Sequence, residues 1–237
     1  KYIKIMQSVS PSEKSLFYYK GILEYYSGKK EAAFEFFKNA VSTGYENPEL
    51  FGKIAEMYFL NGYLDLAYKY YKTAFGLSSS NLKFAYNSGK CALLLEKFSE
   101  AVDYLTKSEN YQGSKIILSE TYRAIAKKDM KNKDYRKAVE NIEKAASVYD
   151  HIVLHIDLAE IYYETRDYNK VISVLENIPV ASSKETTDIN RILGLSYYYL
   201  GELKKSYDFL KLKKIDAATV SVFYNINRII NFSDNAD

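Results

Sequence analysis

His151 and His155 stand four apart in "HIVLH", a spacing that puts two imidazoles on one helical face and could grip a metal ion. A hydrolytic zinc site on a helix also needs a glutamate directly after the first histidine, and Ile152 is there instead. Asp150 or Asp157 could supply a third ligand, but nothing in the spacing demands one. The pair is therefore expected in packing or surface roles, with no metal. Cys91, the single cysteine, excludes an intrachain disulfide and a multi-cysteine zinc site, and reads as a small buried hydrophobe. No glycine-rich phosphate loop occurs, and the carboxylates interleave with lysines as on solvated helix faces. Neither a catalytic residue nor a cofactor is expected.

If no cluster of side chains carries a reaction, the elements that would position one become the question. The chain has 237 residues, 47% of them hydrophobic and 27% charged, enough to bury a core and stay in solution. Thirty-three basic against thirty acidic residues give a net charge of +3, with the signs interleaved, which argues against nucleic acid as partner. No apolar run approaches the ~18 residues of a membrane helix, so no membrane insertion is expected. Three prolines and ten glycines point to helix. Beginning at Lys1 without a signal-peptide pattern, the chain reads as a piece of a longer protein, and its compartment stays open.

The organising signal is a period. Residues 25–40, "YYSGKKEAAFEFFKNA", and 59–74, "FLNGYLDLAYKYYKTA", carry the same punctuation 34 residues apart. Small residues recur at Gly21, Ala55, Gly89, Ala126, Ala159 and Gly194, with steps of 34, 34, 37, 33 and 35. A second series, Ala33, Ala67, Ala101, Ala138, Val171 and Ser206, has the same steps, and four residues after each stands Phe37, Tyr71, Leu105, Ile142, Leu175 or Leu210. Two antiparallel helices approach closely only where one side chain is small, and the large residue a turn later fills the adjacent gap. Gly28, Gly62 and Gly201 mark turns that end a helix in the left-handed conformation, with Glu96, Lys133 and Arg166 in their place elsewhere. The aromatics Phe98, Tyr135 and Tyr168 read as buried anchors after those turns.

This pattern resembles the tetratricopeptide repeat, a 34-residue helix–turn–helix, over roughly residues 14–220. It departs from the family at Val171 and Ile178 in the fifth repeat and at Ser206 and Lys213 in the sixth. The resemblance implies an all-α, right-handed superhelical solenoid of about six repeats, whose concave face is lined by the first helix of each. The repeats are expected at about 14–47, 48–81, 82–118, 119–151, 152–186 and 187–220. Ahead of them, 1–13 reads as the tail of a truncated preceding repeat, with Pro11 at its end. A C-terminal capping helix is expected at 216–232, Asp216 capping it and Val222, Phe223, Ile226, Ile229 and Ile230 forming its apolar stripe, before a disordered tail at 233–237. The three extra residues of the 37-residue step lie in 108–118, as a longer loop or an added helical turn, and 179–188 is a second loop.

On that architecture the concave groove draws on Tyr18, Tyr25, Tyr26, Phe59, Tyr86, Lys90, Leu93, Arg123, Lys127, Tyr163, Arg191 and Tyr198. Aromatic and arginine side chains are common anchors of protein interfaces. The ends of the array offer aromatics and the middle a basic run of Lys90, Arg123, Lys127 and Lys131, so a protein or peptide segment with apolar and some acidic side chains would fit. The bland reading is that the tyrosines pack on neighbouring repeats and that Lys127 and Lys131 pair with Glu120 or with solvent. Members that grip a chaperone's C-terminal carboxylate carry a Lys/Asn clamp where this chain has Tyr18, Ile22 and Lys53; Lys83 alone matches, so no such clamp is expected. The function expected is a non-enzymatic scaffold or adaptor. The alternatives are a peptide-sensing regulatory domain, an enzyme's interaction domain, or an RNA-binding helical repeat, the last disfavoured by Glu56 and Glu160 in the groove.

Overall fold

A computed structural model describes residues 13–179, 183–211 and 217–233. Most of the expected leading tail and of the disordered tail, together with Pro11, Lys213, Asp216 and residues 180–182, lie outside the described residues; the rest of the loop expected at 179–188 is helical from Ser183 on. Among those described are thirteen helices and no strand. They run as pairs: α1 (Glu13–Tyr26) with α2 (Lys30–Ser42), α3 (Pro48–Leu60) with α4 (Leu64–Leu77), and α5 (Leu82–Leu94) with α6 (Phe98–Lys107). Then come α7 (Ser114–Lys131) with α8 (Tyr135–Val148), α9 (Ile152–Glu164) with α10 (Tyr168–Leu175), α11 (Ser183–Tyr199) with α12 (Leu203–Leu210), and a last helix, α13 (Ala217–Ser233). The chain divides into two compact units, Lys1–Thr121 and Tyr122–Asp237, the division falling within α7.

In the first unit the small-residue series does what its register requires. A Cβ on Gly21 would stand 2.5 Å from Phe37, and one on Gly89 would stand 2.6 Å from Leu105 Cγ and 3.3 Å from the Ala101 carbonyl. Ala55 and its counterpart Tyr71 are both buried. The same holds within the second unit. A Cβ on Gly194 would meet Leu210 at 2.5 Å. Ala126 shares a buried cluster with Ala138 and Ile142, and Ala159 another with Val171 and Leu175. Ser206 departs from alanine without loss, because its buried hydroxyl donates to the Gly194 carbonyl oxygen at 2.7 Å.

All the turns within pairs share one hydrogen-bond pattern. Gly62 N–H donates to the Phe59 carbonyl (3.1 Å) and Tyr63 N–H to that of Tyr58 (2.9 Å); Lys133 and Asp134 repeat this with Met130 and Asp129, at 2.9 Å each. The residue that closes each turn has positive φ: 83°, 81° and 81° at Gly28, Gly62 and Gly201, and 55°, 60° and 62° at Glu96, Lys133 and Arg166. The anchors Phe98, Tyr135 and Tyr168 are half-buried rather than buried.

The uneven step resolves as an added first turn of helix. After a short turn segment, α7 starts at Ser114 and runs 18 residues, against 13 for α3. The buried hydroxyls of Ser108 and Ser114 lie 2.6 Å apart, one donating to the other, and the remaining hydroxyl proton is within reach of the Leu105 carbonyl, which lies 3.2 and 3.3 Å from the two oxygens, fixing this entry. The repeat starts placed at 119 and 187 therefore fall inside α7 and α11. At the C-terminal end α13 covers α11 and α12: Ile226 and Thr219 are buried, and Phe223 stacks on Tyr207 with centroids 5.3 Å apart. Asn225 and Arg228 face outward, and Ile229 of the expected apolar stripe is exposed too, since the helix runs on past the pair it caps. The Ile230 side chain lies outside the described residues.

Candidate functional site

The 34-residue step makes the last two residues of each first helix equivalent. In the first unit these are Tyr25 and Tyr26 on α1, Phe59 and Leu60 on α3, and Leu93 and Leu94 on α5. Tyr25, Phe59 and Leu93 are half-buried. Tyr26, Leu60 and Leu94 are 57%, 63% and 51% exposed, three apolar side chains in one register that core packing leaves uncovered. Beside them a cavity of about 220 Å³ opens between α3 and α5, lined by Glu49, Lys53, Glu56, Phe59, Lys83 and Asn87, with Tyr71 also on its wall.

Charge in this face is organised around Glu56, whose carboxylate accepts from Tyr25 Oη and from Lys53 Nζ, each at 3.0 Å. Burial works against both charges. The hydrogen bonds outweigh it, holding the Glu56 carboxyl below its ordinary pKa and the Lys53 ammonium above its own. The Lys53 ammonium also lies 4.2 Å from the Tyr25 ring centroid, and Lys90 lies 5.1 Å from that of Phe59. The other expected groove residues of this unit are drawn into packing. Tyr18 sits among the rings of Tyr19, Phe37 and Tyr45 at 5.3, 6.2 and 5.5 Å, and burial pushes its hydroxyl pKa up. Tyr86 lies 4.9 Å from the Tyr111 ring.

In the second unit the expected basic run is largely answered from within. Arg123 Nε donates to Asp157 Oδ2, Arg123 Nη2 lies 3.5 Å from Oδ1, and Lys127 Nζ lies 3.8 Å from the same oxygen. Lys127 thus meets Asp157 rather than Glu120. Asp157 is buried, so the carboxylate is held where no incoming acidic side chain would displace it cheaply. Sequence reasoning weighed Asp157 only as a metal ligand. The available signal was its place 34 residues after Arg123, within one residue of the 33-residue step between these repeats.

A second cavity, about 240 Å³, is lined by Met130, Glu160, Tyr163, Glu164, Arg191 and Ile192. Arg191 Nη2 is 3.7 Å from Glu160 Oε1. Burial, then the Asp157 charge, raise the Glu160 pKa against the opposing pull of Arg191. Tyr163 approaches Tyr168 edge-on at 5.8 Å and Tyr199 at 6.2 Å, while Tyr168 stacks on Tyr199 at 5.0 Å and Tyr198 lies 5.5 Å from Tyr199.

The two histidines do separate local work. His151 Nδ1 accepts the Val153 N–H at 3.2 Å as the cap of α9, and His155 Nε2 lies 3.0 Å from Asp150 Oδ1. Among the described residues no group of three or more His, Cys, Asp or Glu could hold a metal ion. The Cys91 thiol is buried, which pushes its pKa up to about 12. No described helix is long and apolar enough to cross a membrane. The arrangement offers extended rows of apolar, aromatic and charged side chains, suited to contact along a segment.

No family model matches the chain. It is 25% identical over 257 residues to a TPR repeat-containing protein of Methanocaldococcus jannaschii, covering 85% of this chain and 44% of that relative, so it spans less than half the relative's length. Among solved structures, the C-terminal part of a TPR repeat-containing protein from Cytophaga hutchinsonii superposes with a TM-score of 0.59 at 15% identity, covering 93% of this chain and 91% of that one. A crystal structure of MamA protein matches with a TM-score of 0.48 at 16% identity, covering 71% and 98%. The equivalent close approaches at Gly21, Gly89 and Gly194, the recurrent turn and the likeness to the Methanocaldococcus and Cytophaga proteins give the chain the fold of a tetratricopeptide-repeat solenoid.

Proposed function

We propose that the chain is a non-enzymatic scaffold that seats a segment of a partner protein along the first-helix face of its first unit. The observation that carries this reading is the exposed row of Tyr26, Leu60 and Leu94, repeated in register and flanked by the cavity between α3 and α5. Apolar side chains scattered singly need no explanation; side chains aligned by the repeat itself mark an interaction surface. Interface energy concentrates in a few such residues. Lys83 and Lys90 sit beside the row while Glu56 is engaged by Lys53 and Tyr25, so the local charge favours a segment with apolar side chains and an acidic one.

The test is affinity capture from the source cell with the native chain, a Leu60→Ser/Leu94→Ser chain, and a Leu77→Ser control on exposed α4 surface. The reading expects one or more partners retained by the native chain and the control and lost by the double variant. An identical set on all three would remove the first-helix face from the account. Arg123→Glu is unsuitable as a groove probe, because it would set a second carboxylate against buried Asp157.

A further inference from the structure

The cavity of the second unit differs in sign from the face of the first. Its lining brings two carboxylates, Glu160 and Glu164, against one guanidinium, Arg191, with Tyr163 and Met130 beside them. Arg123 and Lys127 both converge on Asp157, and Lys127 adds only the smallest of the influences on Glu160. Arg191 answers Glu160 only at 3.7 Å, and both side chains remain partly open, 30% and 43% exposed. Asp157 and Asp188 add further negative potential at Glu160, and together with burial they make its ionised form costly in the free chain. A cation entering the cavity would relieve that cost. Tyr163 supplies an aromatic side chain to the lining, held in place by its contacts with Tyr168 and Tyr199 outside it, and an aromatic ring attracts a cation most strongly where water is scarce.

We propose that the cavity between α7, α9 and α11 binds a basic side chain of a partner segment, its charge set between Glu160 and Glu164 and its stem against Met130 and Tyr163. This rests on the scaffold reading for the source of the side chain, but the site is in a different unit and its chemistry is tested apart from it. It also replaces the sequence-based expectation that the middle of the chain selects acidic groups.

The experiment is an amide-resolved NMR titration of the whole chain with N-acetyl-arginine amide, with N-acetyl-norleucine amide and N-acetyl-aspartate amide as controls. The arginine probe should shift the amides around Glu160, Tyr163, Glu164 and Arg191 saturably, and the controls should not. Glu160→Gln/Glu164→Gln should weaken arginine binding about tenfold or more, as loss of a partly desolvated charge pair does. Because the ionised Glu160 is disfavoured in the free chain, this variant should melt no lower than the native protein, which separates lost binding from lost folding. The Leu60→Ser/Leu94→Ser chain should bind the arginine probe unchanged, so failure of the first-unit face leaves this result standing, and the reverse. Absence of localised shifts, equal binding by the double glutamine variant, or an equal response to the aspartate probe would overturn the assignment.

Discussion

At the scale of single residues, the fold rests on steric exclusion. Gly89 has room for a hydrogen and nothing more, since a methyl would meet Leu105 at 2.6 Å and the Ala101 carbonyl at 3.3 Å. Gly89→Ala is expected to cost about 1–3 kcal/mol in urea denaturation, as overpacking does. Gly76 lies in α4 with nothing within 4 Å of its virtual Cβ, so Gly76→Ala should instead stabilise by about 0.5–1 kcal/mol through helix propensity. The two alanines therefore have opposite signs, which propensity alone does not predict. The Glu56 cluster makes a second residue-scale prediction. Burial opposes the carboxylate, but the Lys53 and Tyr25 hydrogen bonds win and lower its pKa. A depressed carboxylate contributes stability that is present above the unfolded-chain value of about 4.3 and lost as pH falls through the folded value. Native protein should thus lose more stability than Glu56→Gln on acidification below about pH 4.5, measured by thermal melts across that range. Parallel pH profiles would dismiss the cluster's role. The small-residue series was legible in sequence because its constraint is pairwise and local, between the two helices of one repeat. The Arg123–Asp157 pair was less legible, because a spacing of about one repeat puts the two on neighbouring first helices without stating which side chains meet there.

At the scale of elements, the recurrent turn explains why side chains are tolerated where glycine is usual. Its geometry is the same at Gly62 and at Lys133, with φ of 81° and 60° and the same backbone hydrogen bonds. A residue with a Cβ pays roughly 1 kcal/mol for the left-handed conformation. Lys133→Gly should accordingly raise stability by about 0.5–1 kcal/mol, the steric gain being partly offset by the greater freedom of glycine in the unfolded chain. An unchanged or lower midpoint in denaturant would mean that Lys133 contributes contacts that the turn geometry does not reveal. The turns were readable because their residues recur at fixed offsets. The start of α7 was not, because the Ser108–Ser114 hydroxyl pair that fixes it is ordinary as sequence and acquires meaning only when buried. The exposure of Ile229 has a similar origin: an apolar period predicts a stripe, but the length of what it covers decides where burial stops.

At the scale of the whole molecule, the fold reduces the question of function to which repeated positions packing leaves open. Sequence position assigned the expected groove to the first-helix faces as a class, yet it could not divide them. Tyr18 and Tyr86 are taken up by neighbouring rings and Arg123 by Asp157, whereas Leu60, Leu94 and, beside the Tyr25 ring, Tyr26 stay more than half exposed. Charge is partitioned as well, with lysines beside the row in the first unit and uncommitted carboxylate in the cavity of the second. On the proposed scaffold reading, partners would be discriminated by the order of their side chains, since each register position asks for its own chemistry. The most direct measurement places a photo-crosslinking phenylalanine analogue singly at Leu60, Leu94 or Leu77 and maps what is captured in the source cell. The account predicts one shared partner segment joined at Leu60 and Leu94 and absent at Leu77. Crosslinks that fall equally at Leu77, or different and unrelated segments at Leu60 and Leu94, would contradict it.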